Sequence, residues 1–379
     1  MKSSSSYKYK TFLQTYLFLG IAILLGIAIF NFIVDPLQFY RRSWYPPVYI
    51  KNQRYQNPGL AKNYDYDTVI IGNSHTENFL PGYIDKQLGM KALRLSMAGS
   101  TAREQALILH KALDTAKVRN IIWSVEFGSF AGDPKRMRNQ EGEFPDYLYH
   151  ENLTTHFIYL LSWNTIYLSV NALRGQGYHD LATLNTWYNQ FSFSADRVWL
   201  AWQASQTKGE EMSVQVDLPN FDDTSATINL YLTDTVAHNP KVKFYLIFPP
   251  YSILAYIPYA NCDFDTAYAQ FREHIRFKEA VVSSVLLYDN VELYDFQPVS
   301  TITHDLNNYK DLTHFSLQIN NYIIDSIKDG KHLITKANYP KLFDMLDRQV
   351  RTVLREGITE GSPFKHCLEQ GQTLNASGM

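Results

Sequence analysis

Three short stretches of this 379-residue chain carry residues that could do chemistry together. "IIGNSH" places Ser74 and His75 at the end of an apolar run, "SMAG" ends on Gly99, and "DLTH" sets Asp311 and His314 three residues apart. A serine hydroxyl is a poor nucleophile until a base takes its proton, and an imidazole acting as that base needs a carboxylate to hold its tautomer. Asp and His at this spacing can lie side by side, with the imidazole reaching a serine from another part of the chain. The chemistry would be acyl transfer through Ser74. On local features alone, Ser74 reads equally as a nucleophile or as the start of a helix, and Gly99 equally as a turn or as a place where a backbone N–H can approach a ligand. The late D-x-x-H, in a chain with an early strand-G-x-S, decides for the nucleophile.

Such residues need a scaffold that gathers them. "DTVIIG" is short, β-branched and apolar, as a buried strand is. "LPGYIDKQLG" reads as a helix stopped by Gly89, and "KALRLSMAG" as a second strand. "TAREQALILHKALDTA" has helical spacing, with Thr101 and Glu104 placed for a capping box. "VRNIIWSVEF" reads as a third strand. Strand alternating with helix implies a parallel sheet with helices on both faces, whose carboxyl edge binds ligands. Ser74 and Gly99 both follow strands and so fall on that edge.

Residues 130–235 interrupt the rhythm. They are aromatic-rich, too long for one structureless loop, and expected to form a mainly helical insertion that serves as a lid or substrate platform. Strand and helix resume with "KVKFYLIFPPYS", "TAYAQFREHIRFKEAVVSSVLL", "NVELYDFQ" and "SLQINNYIIDSIKDG", the last closed by Gly330. The expected organisation is an α/β domain over 66–335 and a tail over 336–379 with one amphipathic helix.

The combination of "GNSH", a glycine after the second strand and a late "DLTH" resembles the SGNH (GDSL-type) hydrolase superfamily. The resemblance covers roughly residues 66–330. It implies a flavodoxin-like three-layer α/β sandwich with a parallel sheet. It further implies Ser74 as nucleophile, the Ser74 and Gly99 N–H groups as oxyanion donors, His314 as base and Asp311 as its carboxylate. With a membrane anchor and "DLNNYKDLTHF", the chain is most similar to the exported branch that acylates envelope polymers. Teichoic-acid D-alanylation proteins and alginate O-acetyltransferase-like proteins belong there, working beside membrane-bound O-acyltransferases. The chain departs from the pattern twice. Asn73 stands where the family has Asp, and "IIWSVEFGSF" lacks the third-block asparagine that supplies a further oxyanion donor. Glu126 and Phe127 stand there instead. Losing such a donor costs about 10²–10³ in rate in a well-studied protease, and Asn73 is the candidate to fill in.

The remaining residues read more plainly. His75 reads as a helix-start residue contacting Asp or backbone. Pro249 and Pro250 of "FPPYS" shape the cleft edge. His304 and Asp305 rank below the later pair, Asn307, Asn308 and Tyr309 read as turn residues or site neighbours, and Glu273 and His274 as solvated. The chain's −2 charge and lack of a long basic run argue against nucleic acid. No metal-ligand spacing and no cofactor motif stands out. Cys262 and Cys367 are the only cysteines, and an exported domain would leave a disulfide between them open.

The run from Tyr16 to Val34 is nearly unbroken apolar sequence, with Asn31 its polar interruption. Its length suits a bilayer span and exceeds a signal-peptide core. The expectation is a cytoplasmic N-terminus over 1–10, an anchor over 11–34, a connector over 35–65 and an extracytoplasmic remainder, in the bacterial periplasm or at the cell surface. Two functions follow. One is a serine esterase or O-acyltransferase acting on an acylated envelope glycan or polymer. The other is a weak or inactive protein of the same fold that binds such a glycan or a membrane-bound O-acyltransferase.

Overall fold

The computed structural model describes residues 3–138, 144–150, 152–211, 219–257 and 264–356. Cys262, Cys367 and the end of the tail beyond residue 356 lie outside them. In chain order the helices are α1 (Ser3–Val34), α2 (Gln53–Asn63), α3 (Pro81–Leu88), α4 (Ala102–Leu113), α5 (Leu153–Leu161), α6 (Trp163–Leu173), α7 (Ala195–Glu211), α8 (221–238), α9 (Phe264–Val285), α10 (Leu317–Asp329) and α11 (Tyr339–Glu356). The strands are β1 (Thr68–Ile71), β2 (Ala92–Arg94), β3 (Asn120–Ser124), β4 (Lys243–Phe248) and β5 (Val291–Asp295). The chain divides into two compact units, Met1–Asp65 with Gly142–Leu184, and Tyr66–Glu141 with Asn185–Met379.

The second unit is built on one five-stranded, wholly parallel sheet in the order β2-β1-β3-β4-β5. This is the doubly wound order in which the switch point lies between β1 and β3. Successive side chains of a strand face opposite ways. Ile70, Ile122, Ile247 and Tyr294 share one core with Ile84 of α3 and Ile319 and Ile323 of α10. On the opposite face the indole of Trp123 donates to Gln105 of α4 at 2.7 Å. Helices therefore cover both faces, and strands buried on both sides read as continuous apolar runs. The stop signals are used as expected. Gly89 and Gly330 cap their helices in the left-handed region (φ 68° and 65°), and Thr101 and Glu104 close a capping box on α4.

In the first unit, Lys8–Val34 of α1 is long and apolar enough to cross a membrane, its most apolar 18-residue stretch having a mean hydropathy of 2.8. Residues 35–65 differ from the expected connector. Their Asn, Gln and Tyr content forms a buried polar network rather than a solvated loop. The Asp35 carboxylate accepts from the amides of Phe39, Tyr40 and Arg41 and from the Tyr159 hydroxyl at 2.8–3.0 Å. Tyr64 donates to Gln38 Oε1 at 2.7 Å, and Asn63 to the Gln38 carbonyl at 2.6 Å. The expected single insertion over 130–235 is divided as well: α5 and α6 belong to this unit, whereas α7 and α8 belong to the sheet unit.

Candidate active site

β1 ends at Ile71, and Gly72 turns the chain with φ 154°. A Cβ at Gly72 would lie 2.6 Å from the Thr76 methyl, so close packing under the turn requires glycine. Ser74 then opens a single 3₁₀ turn, Ser74–Thr76, capped by the Asn73 side chain, which accepts the His75 amide at 3.0 Å. The loop after β2 is laced to it. The Met97 amide and Ser100 hydroxyl donate to the Gly72 carbonyl at 3.0 and 3.3 Å. Gly99 follows in this loop at φ 57°, where a Cβ would overlap the Arg138 guanidinium.

The third stretch arrives from the loop before α10. The Asp311 carboxylate accepts the amides of Thr313 and His314 at 3.0 and 2.9 Å, folding "DLTH" back on itself. That turn sets His314 Nδ1 2.9 Å from Asp311 Oδ2. His314 Nε2 lies 2.7 Å from Ser74 Oγ, across 240 residues of sequence. With the proton on Nδ1, the ring donates to Asp311 and accepts from the serine hydroxyl. Burial works to raise the Asp311 carboxyl, but the hydrogen bond and charge of His314 and the two amides outweigh it and hold it well below the carboxylate range. His314 is itself held below the usual imidazole value, by burial first and by the charge of His75 second, with Asp311 opposing. The ring is therefore free to accept a proton near neutral pH.

Around this lies a shell that the motifs did not reveal. His75, read as a helix-start residue, stacks on His314 with ring centroids 4.4 Å apart. Its Nδ1 sits 2.6 Å from Glu126 Oε2 and 2.8 Å from Asn73 Oδ1. Glu126 also accepts from Asn73 Nδ2 (2.8 Å), the Tyr251 hydroxyl (2.6 Å) and the Ser124 hydroxyl (2.7 Å). Burial pushes the Glu126 carboxyl up; the charge and hydrogen bond of His75 and the two hydroxyls outweigh that and hold it below its ordinary value. The Asn73 amide, considered above as a third oxyanion donor, is committed to Glu126 and Ser129. The indole N–H of Trp187 donates to the Ser74 carbonyl at 3.1 Å, and its ring meets His314 edge-on at 5.4 Å. The Lys310 ammonium lies 4.1 Å from the Trp187 ring centre.

The other residues singled out in the sequence fall elsewhere. The His304 ring contacts the Thr303 hydroxyl, and Asp305 caps a turn at Asn307. Tyr309 is buried and donates to the Pro250 carbonyl at 2.9 Å, while Asn307 accepts the Ala195 amide. Glu273 pairs with Arg276. His274 is half-buried rather than fully solvated: it packs on Phe127 at 4.2 Å and is pushed down to about 4 by burial and the nearby Lys278 charge. Among the described residues, no group of three or more His, Cys, Asp and Glu gathers as a metal site would need. Only "FPPYS", ending β4 at the carboxyl edge, signalled Tyr251; nothing in the local sequence signals Trp187.

Fold and site together define a parallel α/β unit carrying a Ser–His–Asp arrangement at the carboxyl edge of its sheet. The sequence matches no protein-family model and no curated protein.

Proposed function

We propose that the chain is a membrane-anchored serine esterase or O-acyltransferase of the SGNH (GDSL-type) kind, facing the extracytoplasmic side and acting on acyl esters of an envelope glycan or polymer. The observation that carries the reading is the linear relay from Ser74 Oγ to His314 Nε2 at 2.7 Å and from His314 Nδ1 to Asp311 Oδ2 at 2.9 Å. In this reading Ser74 Oγ attacks the acyl carbonyl while its proton passes to His314 Nε2. The oxyanion rests on the N–H groups of Ser74 and Gly99, and His314 returns the proton to the departing alcohol. The acyl group on Ser74 then passes to water or to a glycan hydroxyl. The envelope substrate, and a membrane-bound O-acyltransferase as partner, rest on the sequence resemblance.

One observation favours the second reading, an inactive binding protein. Where the family has an asparagine donor stands Glu126, an acceptor ringed by His75, Asn73, Tyr251 and Ser124. A fluorophosphonate probe on the full-length protein separates the two, because labelling needs an activated serine. The enzyme reading expects labelling that is lost in Ser74→Ala and strongly reduced in His314→Ala. Absent labelling, or labelling unchanged in Ser74→Ala, overturns it.

A further inference from the structure

We infer that the helical hairpin α5–α6 is itself submerged in the lipid bilayer, seated among acyl chains of one leaflet beside the second half of α1. The hairpin buries hydroxyl side chains, and its outer face is mostly apolar, with Thr154 and Asn164 the exposed polar residues within the two helices. Thr155, Thr165 and Ser169 are at most 1% exposed, whereas Leu153, Phe157, Leu161, Trp163 and Tyr167 stand outward at 36–80% exposure. Residues 152–173 contain no Asp, Glu, Lys or Arg. A helix pair in water turns its polar side out; the reverse arrangement matches a solvent as apolar as leucine, in which small and hydroxyl residues mediate contact between helices.

The backbone is prepared for that solvent. In lipid every polar backbone group needs an internal partner. The carbonyl of Leu160, in the last turn of α5, has no later helical amide to bind. It accepts from Asn31 Nδ2 of α1 at 2.8 Å, and Asn31 Oδ1 accepts from the Ser169 hydroxyl at 2.9 Å. Asn31, the polar interruption of the apolar run, is thus fully buried as the link among all three helices. At the tip, Ser162 caps α6 through the Thr165 amide at 3.0 Å. At the end of α1, the Arg41 guanidinium and the Trp44 indole both donate to the Ile33 carbonyl at 2.9 Å, the residue types that mark a membrane–water boundary.

The depth follows from α1. Phe157 and Leu161 line an apolar cleft with Ile21, Leu24 and Leu25. The α1 residues of that cleft, from Ala28 back to Ile21, lie about 9 to 20 Å along the helix from Val34, inside a hydrocarbon core about 30 Å thick. Neither α5 nor α6 can span that core at 9 and 11 residues. The hairpin dips and returns. The occupant of its outer face is lipid, because that face is continuous with the lipid-facing surface of the span itself.

The test uses the full-length chain, with Cys262→Ser and Cys367→Ser, purified alone and reconstituted in phosphatidylcholine vesicles. A bimane label is placed at Phe157→Cys, Leu161→Cys or, for the span, Ile21→Cys. Emission at the two hairpin positions is expected to be quenched by lipid brominated midway along its acyl chains to the extent seen at Ile21, and to resist aqueous iodide. Quenching by iodide but not bromolipid places the hairpin in water and overturns the proposal; quenching by neither means protein covers it and does the same. Loss of bromolipid quenching at Ile21 as well would overturn the membrane span with it. Should the labels unseat the hairpin, the unlabelled Trp163→Phe variant decides: it is expected to lose part of the bromolipid-quenchable tryptophan emission, and no loss overturns the proposal.

Discussion

The imidazole of His75 lies against that of His314 with planes inclined by 27°, and its Nδ1 is held 2.6 Å from the buried carboxylate of Glu126. One histidine–carboxylate pair thus stands behind another. The charge of His75 is one of the causes holding His314 down, and burial is the larger. His75→Gln removes that cause while burial remains. The folded value of His314 then rises toward the ordinary 6.5. A base works only when unprotonated, so the acid limb of kcat/KM for a small acyl ester is expected to move to higher pH. The variant loses more activity at pH 6 than at pH 8. An acid limb that stays in place would show that His75 is structural only.

The relay itself makes the sharpest demand. Ser74→Ala is expected to reduce kcat/KM toward p-nitrophenyl acetate by at least about 10³-fold, as removal of a nucleophile does. Asp311→Asn leaves the ring in place but favours the wrong tautomer, which costs about 10⁴-fold in a serine protease. Steady-state kinetics on the three proteins check this, with circular dichroism to confirm that each is folded.

Glu126 tests the buried hub. Its folded-state value is depressed, so it stabilises the fold above the unfolded value of 4.5, and that contribution is lost as pH falls below it. Glu126→Gln puts an amide donor among groups that donate to a carboxylate. The expected loss is about 1–3 kcal/mol at pH 7. The gap between variant and parent should narrow as pH drops below 4.5. Urea midpoints at the two pH values measure it; a gap independent of pH would contradict the assignment.

A second buried charge lies under the sheet. Lys278 of α9 donates to Asp295 of β5 at 2.7 Å, and both side chains are at most 1% exposed. Burial holds the Lys278 ammonium below its usual value despite Asp295. Removing one partner strands the other: Lys278→Met is expected to cost about 3–5 kcal/mol. Lys278→Met combined with Asp295→Asn should recover much of it, since no lone charge remains. Thermal melts of parent, single and double variants form the cycle, and a double variant no better than the single would sink the argument.

The strands and helices of the α/β unit were legible because their signals are local. "DTVIIG" and "KFYLIF" are apolar without interruption because both faces are covered, and Gly89, Gly330 and the Thr101–Glu104 pair mark helix ends by backbone geometry that few residues satisfy. Residues 35–65 misled for the converse reason. Asn, Gln and Pro are frequent there, as in loops, yet Gln38, Gln56 and Asn57 are buried among partners that are distant in sequence. His274 misled likewise: its exposure depends on Phe127 and Tyr256, which no helical period reports.

The sequence by itself determined the alternation that builds a parallel sheet, the apolar span, and the residues Ser74, Gly99, Asp311 and His314 at the ends of elements. These depend on periodicity, propensity and turn chemistry within a few neighbours. The tertiary structure alone decided that Ser74 and His314 meet at 2.7 Å, because α10 packs beside α3, with Tyr83 donating to Asp325, and so brings the loop before it back to the end of β1, 240 residues away in sequence. It also decided what surrounds Glu126. Glu126 is an acceptor held by Ser124 two residues before it, by Asn73 and His75 after β1 and by Tyr251 after β4, and the convergence of those three segments leaves no trace in the spacing of any one of them.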